Sequence, residues 1–180
     1  MYLFEPKMPK IFLNKQRIFA SIGQHEKMKR AKHIFKINGL RIVYEKQLNK
    51  CEYCNPIMSR NILIMKGMTE VAHFGLSSEC LYDATDCFTS SASEIVSMSI
   101  GIDDDDFEYL KGIQLSRIMI WSMLCILMKE NVDFQQDVYI DTDASCGFWD
   151  AIGMKINNGP KGKGYEKKIS LNNMKDWCMK

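Results

Sequence analysis

Residues 113–130, IQLSRIMIWSMLCILMKE, constrain this chain more than any other stretch. Ile113, Leu115, Ile118, Met119, Ile120, Met123, Leu124, Ile126 and Leu127 put apolar side chains on nearly every side of a helix. Such a helix has to be enclosed by other elements rather than laid on a surface. The 180 residues suffice to build that enclosure as one domain, and 46% apolar with 26% charged residues is an ordinary globular balance. No apolar run is long and charge-free enough to span a membrane, so no membrane partner is expected.

Strands are the natural enclosure, and the pattern supplies them on both sides of the helix. ASEIVSMSIGI (92–102) alternates, which places Glu94, Val96, Met98, Ile100 and Ile102 on one face and Ile95, Ser97, Ser99 and Gly101 on the other. GLRIVYEKQL (39–48) reads as a strand, and NILIMKG (61–67) with TEVAHFGL (69–76) as two strands around a tight turn at Gly67. Residues 77–90 are polar and read as a loop. DVYID (137–141) is a strand, GFWDAIGM (147–154) a short helix stopped at Gly153, and MKINNGPKGKGYEKKISL two strands followed by a short amphipathic end. Upstream, an irregular arm leads to a helix within 24–37, stopped by Asn38-Gly39. The expected fold is therefore α/β (α+β), a mixed sheet with helices packed on it.

Two places in this pattern suit chemistry. Glu94 lies at the start of an apolar strand face, where partial desolvation makes a carboxylate a better proton acceptor. The other environment open to it is the sheet's end, in water or in an ion pair. Gly112, just ahead of the long helix, allows a turn in which main-chain N–H groups converge at the positive end of the helix dipole, a setting that suits a phosphate. A turn glycine with no ligand is the plainer reading.

EIVSMSIGI…YLKGIQLSRIMI resembles the central motif of the GNAT superfamily of acetyl-CoA-dependent N-acetyltransferases, a splayed strand, a (Gln/Arg)-x-x-Gly-x-(Gly/Ala) turn and a long buried helix. Downstream, DVYIDTDASCGFWDAIGMKI is similar to the family's later strand and its Ala-x-x-Phe-Tyr-x-x-x-Gly-Phe helix, with Phe148, Gly153 and Met154 in the Phe, Gly and Phe-like places. The resemblance covers roughly residues 60–172, and it divides the chain into a basic N-terminal extension (1–55) and a GNAT-like domain (56–180) within one continuous unit. It implies a mostly antiparallel central sheet flanked by helices, and transfer of acetyl from acetyl-CoA to a primary amine. By the same resemblance, pantetheine would run beside Ser97, Met98, Ser99 and Ile100, and the pyrophosphate would rest on the main chain of Lys111, Gly112, Ile113, Gln114, Leu115 and Ser116. Glu94 would be the general base, with Tyr139, Cys146 or water as the proton donor to the thiolate. The IDTDAS…GFWD block is also similar to acetyltransferase-like proteins of large DNA viruses, which implies a cytoplasmic protein, in a host cytoplasm or a virion.

The chain departs from the family pattern at three positions. Tyr109 stands where Gln or Arg is usual, Gln114 where Gly or Ala is usual, and Trp149 where a Tyr would protonate the leaving thiolate; an indole cannot do so. Trp149 is read as packing. A catalytically inactive GNAT-like scaffold or adaptor in a larger assembly is therefore the alternative. The aspartates 103–106 form either a solvated connection or an attractor for a cationic amine.

Charge is divided unevenly along the chain. Residues 1–60 hold 13 Lys/Arg and 4 Asp/Glu, net +9, and residues 61–180 hold 11 and 18, net −7. Either the two parts are solvated and complementary faces, or the basic region meets nucleic acid or an acidic protein. The seven cysteines and the absence of a leader pattern in MYLFEPKMPKIFLNK lead to an expectation of reduced thiols in a cytosol-like compartment. Cys51-x-x-Cys54 is half of a zinc site or a redox pair, but His25, His33, Cys80 and Cys87 do not complete the paired spacing, so no metal is expected. GPKGKG (159–164) lacks the ending of a P-loop and reads as a hairpin turn, and His73 reads as a strand histidine.

Overall fold

The computed structural model describes residues 9–22, 26–49, 57–79, 93–100, 105–140, 146–156 and 167–180. Cys51, Cys54, Cys80, Cys87, Asp103, Asp104 and the GPKGKG turn lie outside these residues, as do the side chains of Glu94, Ser97, Met98, Ser99, Ile100 and Cys146. The elements run β1 (Ile11–Phe12), α1 (Lys15–Ser21), α2 (Glu26–Ile37), β2 (Leu40–Asn49), β3 (Ile57–Lys66), β4 (Thr69–Glu79) and β5 (Ser93–Ile100). A 3-10 turn (Asp105–Leu110) follows, then α3 (Leu115–Lys129), β6 (Asp137–Ile140), α4 (Cys146–Ala151), β7 (Lys155–Ile156), β8 (Lys167–Ser170) and α5 (Leu171–Met179).

The strands form one mixed sheet in the order β1-β2-β3-β4-β5-β6-β8-β7. Each neighbouring pair is antiparallel except β5 and β6, which are parallel. A parallel pair needs a crossover, and α3 provides it. β2 and β3 pair over ten positions, so residues on both sides of position 55 belong to the same sheet.

Alternation sorts the sheet into two faces. Leu40, Ile42 and Tyr44 of β2, Ile62 and Ile64 of β3, Phe74 and Leu76 of β4, and Val138 and Ile140 of β6 share one buried cluster with side chains from all five helices. α3 is at its centre, with Ile118, Met119, Ile120 and Met123 fully buried, each worth about 1.5–3 kcal/mol of burial. Val43, Leu63 and Met65 form a smaller cluster on the opposite face.

The structure corrects the reading of the N-terminus as an irregular arm. Residues 11–21 form β1 and α1, and α1 is capped by Asn14, whose Oδ1 accepts from the Arg17 N–H at 3.1 Å. Ile18, Phe19 and Ile22 bury one side of α1, Phe19 stands edge-on to Phe35 of α2 at 5.2 Å, and Trp121 Nε1 of α3 donates to Ser21 Oγ at 2.7 Å. A seven-residue helix is too short to announce itself by periodicity; tertiary packing holds it. β4 also runs on to Glu79, so the first three residues of the expected 77–90 loop are strand.

Candidate active site at the β5–β6 opening

β5 has complete antiparallel support on one side. Its eight residues pair with β4 from Ser93 opposite Glu79 to Ile100 opposite Ala72. On the other side the pairing with β6 consists of Glu94 with Val138 and Ile95 with Tyr139. The next step is not made, although Ile140 still pairs with Lys167 of β8. Among the described residues β6 follows β8 along its whole length and pairs with β5 at two positions; residues 141–145, which continue the chain beyond Ile140, lie outside the described residues. Among the described residues, the β6-facing main chain of Val96–Ile100 has no strand partner, and such groups need a hydrogen-bonding substitute if they are screened from water.

This stretch of β5, the candidate opening, is its C-terminal part, the end from which the chain proceeds to the 3-10 turn and α3. Leu110 and Ile113 are buried, Phe107 and Tyr109 pack against the core, and these anchors fix where α3 starts. Gly112 has φ +73° and Gln114 has φ 56° and ψ 44°, so the turn passes through the left-handed region twice. Gly112 adopts that conformation freely, whereas Gln114 is a strained choice. Gln114 is the N-cap of α3 but its side chain makes no capping bond. The first intrahelical bond is Ile118 N–H to Gln114 O at 3.2 Å, which leaves the amides of Leu115, Ser116 and Arg117 without intrahelical acceptors.

Two polar atoms on the residues flanking this turn are buried without a hydrogen-bond partner among the described residues: Tyr109 Oη and Arg117 Nε. The Arg117 guanidinium lies over the Trp177 ring at 4.7 Å, and Lys66 Nζ is 5.1 Å from the Tyr109 ring centre. Lys111, the cation closest in sequence to the turn, is paired with Glu108 at 2.9 Å on the surface, and its hydrogen bond and charge hold the Glu108 carboxyl below the ordinary range. Ser116 is half-buried. The side chains of Ile113 and Leu115 belong to the core, so these two residues can offer a ligand only main chain.

Glu94 and Tyr139 are not brought together on one face. Glu94 is opposite Val138 and Tyr139 is opposite Ile95, and successive positions alternate, so the two occupy opposite faces of the sheet. Only something entering between the strands could approach both. Trp149 is 2% exposed within the core, as expected of a packing residue. Asp105 and Asp106 open the 3-10 turn, with Asp106 on the surface. His73 Nδ1 lies 3.1 Å from Glu70 Oε1, with His73 half-buried on β4, an interior strand of the sheet.

Sequence reasoning missed a charged clasp at the far end of α3. Glu130, its C-cap, accepts from Tyr44 Oη (3.2 Å), Lys46 Nζ (3.1 Å) and Arg60 Nε (2.8 Å). A carboxylate at a helix C-terminus is opposed by the dipole. Here Lys46 and Arg60, register partners on β2 and β3, compensate. Burial would raise the Glu130 carboxyl, but hydrogen bonds from Lys46 and Arg60 and their charges outweigh it and hold it below the ordinary range. Burial, with Glu130 adding to it, pushes the Tyr44 phenol up to about 12.

A surface cavity of about 470 Å³ lined by Phe12, Leu13, Asn14, Lys15, Gln16, Arg41 and Ile42 lies at the β1 edge. Four strand spacings, roughly 19 Å, separate that edge from β5, so this cavity is not part of the opening. Among the described residues no group of His, Cys, Asp and Glu could hold a metal ion, and no helix is long and apolar enough to cross a membrane. No protein-family model, curated protein or solved structure matches the chain.

Proposed function

We propose that the protein is a GNAT-like N-acetyltransferase that moves acetyl from acetyl-CoA to a primary amine, working in a cytoplasmic compartment or a particle assembled there. One observation carries the reading: β5 and β6 are parallel, pair at two positions among the described residues, and are followed by a turn with two left-handed residues and a fifteen-residue helix whose N-cap side chain makes no capping bond. Gln114 adds support, because it adopts a backbone conformation that favours glycine at the place where the resemblance expects Gly or Ala. In this reading pantetheine enters between the strands and bonds to main chain of Ser97–Ile100, and the pyrophosphate rests on the free amides at the start of α3.

The reaction requires little from side chains. The amine nitrogen attacks the thioester carbonyl, a main-chain amide near Met98 polarises the oxyanion, and the C–S bond breaks to release the thiolate of coenzyme A. The amine proton passes to Glu94 through water, and Tyr139 or water returns a proton to the thiolate. Calorimetry with acetyl-CoA is the test, followed by turnover on lysine peptides and polyamines. The reading expects saturable binding and turnover that Glu94→Gln abolishes while binding persists. No heat up to millimolar acetyl-CoA would remove it.

A second reading, a catalytically inactive GNAT-like scaffold within a larger assembly, is favoured by two observations. Lys111 is paired with Glu108, and buried Trp149 offers no acidic proton where the resemblance expects a Tyr. Acetyl-CoA binding with no turnover on any amine would select it.

A further inference from the structure

Five of the thirteen Lys/Arg of residues 1–60 fall on one helix, α2. Residues 27–37 contain Lys27, Lys29, Arg30, Lys32 and Lys36 and no Asp or Glu. In α2, Met28, Ala31 and Phe35 are buried at 3%, 0% and 0%, while Lys29, Arg30, Lys32, His33 and Lys36 are exposed. At 100° per residue Lys29, Lys32, His33 and Lys36 form a stripe about 10 Å long, with Arg30 beside it. Glu26, the first residue of α2, is the helix's one acidic residue; the neighbouring α1 has none and exposes Arg17. No ion pair neutralises Arg30, Lys32 or Lys36 among the described residues.

We infer that the exposed face of α2 is a docking surface for the phosphate backbone of double-stranded nucleic acid, independent of the sequence of its bases. The chemistry of the stripe selects this partner over others. A membrane-binding helix needs an apolar face to insert, and the apolar face of α2 is already committed to the core. A protein interface is built around apolar and aromatic anchors and is depleted in lysine at its centre, whereas the large apolar side chain exposed on α2, Ile37, stands at its end. Single strands are held by successive aromatic platforms in addition to charge, and the stripe offers the one imidazole of His33 and no Phe, Tyr or Trp. What remains is a rigid row of cations, which matches a polymer carrying one negative charge per about 1.7 Å of axis. Neither acetyl transfer nor the β5–β6 opening enters this inference.

Fluorescence anisotropy with a labelled mixed-sequence 20-base-pair duplex, titrated from 50 to 200 mM KCl, tests it. Four engaged cations give a slope of log affinity against log salt of about −3 to −4, a loss on the order of 100-fold over that range. The variant Arg30→Gln/Lys32→Gln/Lys36→Gln changes exposed side chains only, so its melting temperature should stay within about 1–2 °C of the parent's. Its affinity at 50 mM salt should fall at least tenfold and its slope should flatten to about −1. The control Lys155→Gln, also exposed and on β7 at the far side of the sheet from β2, against which α2 packs, should bind within about twofold of the parent. The inference is overturned if the triple variant binds like the parent, if the control loses as much, or if the duplex is not bound at 50 mM salt. It is equally overturned if a single strand of the same length, a polyglutamate peptide or phosphatidylserine vesicles bind more tightly than the duplex.

Discussion

Gln114 offers the sharpest test of the turn that opens α3. A non-glycine residue in the left-handed region costs about 1–2 kcal/mol, and Gln114 recovers none of it through a capping bond. Gln114→Gly removes that cost but adds freedom to the unfolded chain worth about 0.4–1 kcal/mol. The balance favours the glycine variant by roughly 0.5–1 kcal/mol, which on a chain of this size raises Tm by about 1–4 °C. Gln114→Ala keeps a Cβ and therefore the strain, so it should gain nothing. Gln114→Asn should fall between the two, because a short amide side chain tolerates this conformation. Urea titrations and thermal melts followed by circular dichroism measure all three. If Gln114→Gly is no more stable than Gln114→Ala, the left-handed turn at this position is wrong. The same variants bear on the proposed cofactor site. Removing the side chain clears the approach to the helix amides, so Gln114→Gly should also bind acetyl-CoA more tightly than the parent.

The clasp at Glu130 yields two pH predictions of opposite sign. A carboxyl held below its unfolded value contributes stability above about pH 4.3 that is lost as pH falls through the folded value. Glu130→Gln should therefore be about 1–3 kcal/mol less stable than the parent at pH 7, with the gap closing on acidification; a gap that stays constant from pH 7 to 3 in urea titrations would contradict the clasp. Tyr44, with its phenol pushed up to about 12, contributes stability that is complete below about pH 10 and lost as pH rises toward 12. Tyr44→Phe should remove one late-titrating phenol from the 295 nm absorbance curve between pH 10 and 12 and lessen the loss of stability there; an unchanged curve would place Tyr44 in water.

Much of the fold was legible because it follows from period. The alternation in 39–48, 61–76 and 92–102 and the all-round apolarity of 113–130 each allowed one element type, and β2 to β5 and α3 occupy those places. Position-specific features were hidden for stated physical reasons. α1 is too short for a periodic signature, and Gln is a poor advertisement for a positive φ. The clasp joins Tyr44, Lys46 and Arg60 to Glu130 across 70 to 86 positions of sequence, and no local pattern encodes such a distance. The site was legible as a location: strand, turn and helix start fall where 92–116 placed them. The relation between Glu94 and Tyr139 was not, because it depends on the register of a parallel pair, which strand periods alone leave open.

The seam between β5 and β6 joins two parts of the sheet that are held by different contacts. The helix starts after β5 but packs mainly over β3 and β4, and its C-cap is fastened to β2 and β3 through Glu130. β6 is positioned by a different set of contacts. It pairs with β8 at all four of its positions, while Leu171 N–H and Asn172 N–H of α5 bond back to Gln136 O and Phe134 O in the segment that leads into β6. β5 belongs with the β2–β4 meander, and β6 belongs with β8 and α5. Among the described residues these two units meet along one parallel seam with two paired positions. The clasp that anchors α3 lies at the end of the helix opposite the proposed cofactor turn, so variants at Glu130 load the packing of the helix without altering that turn.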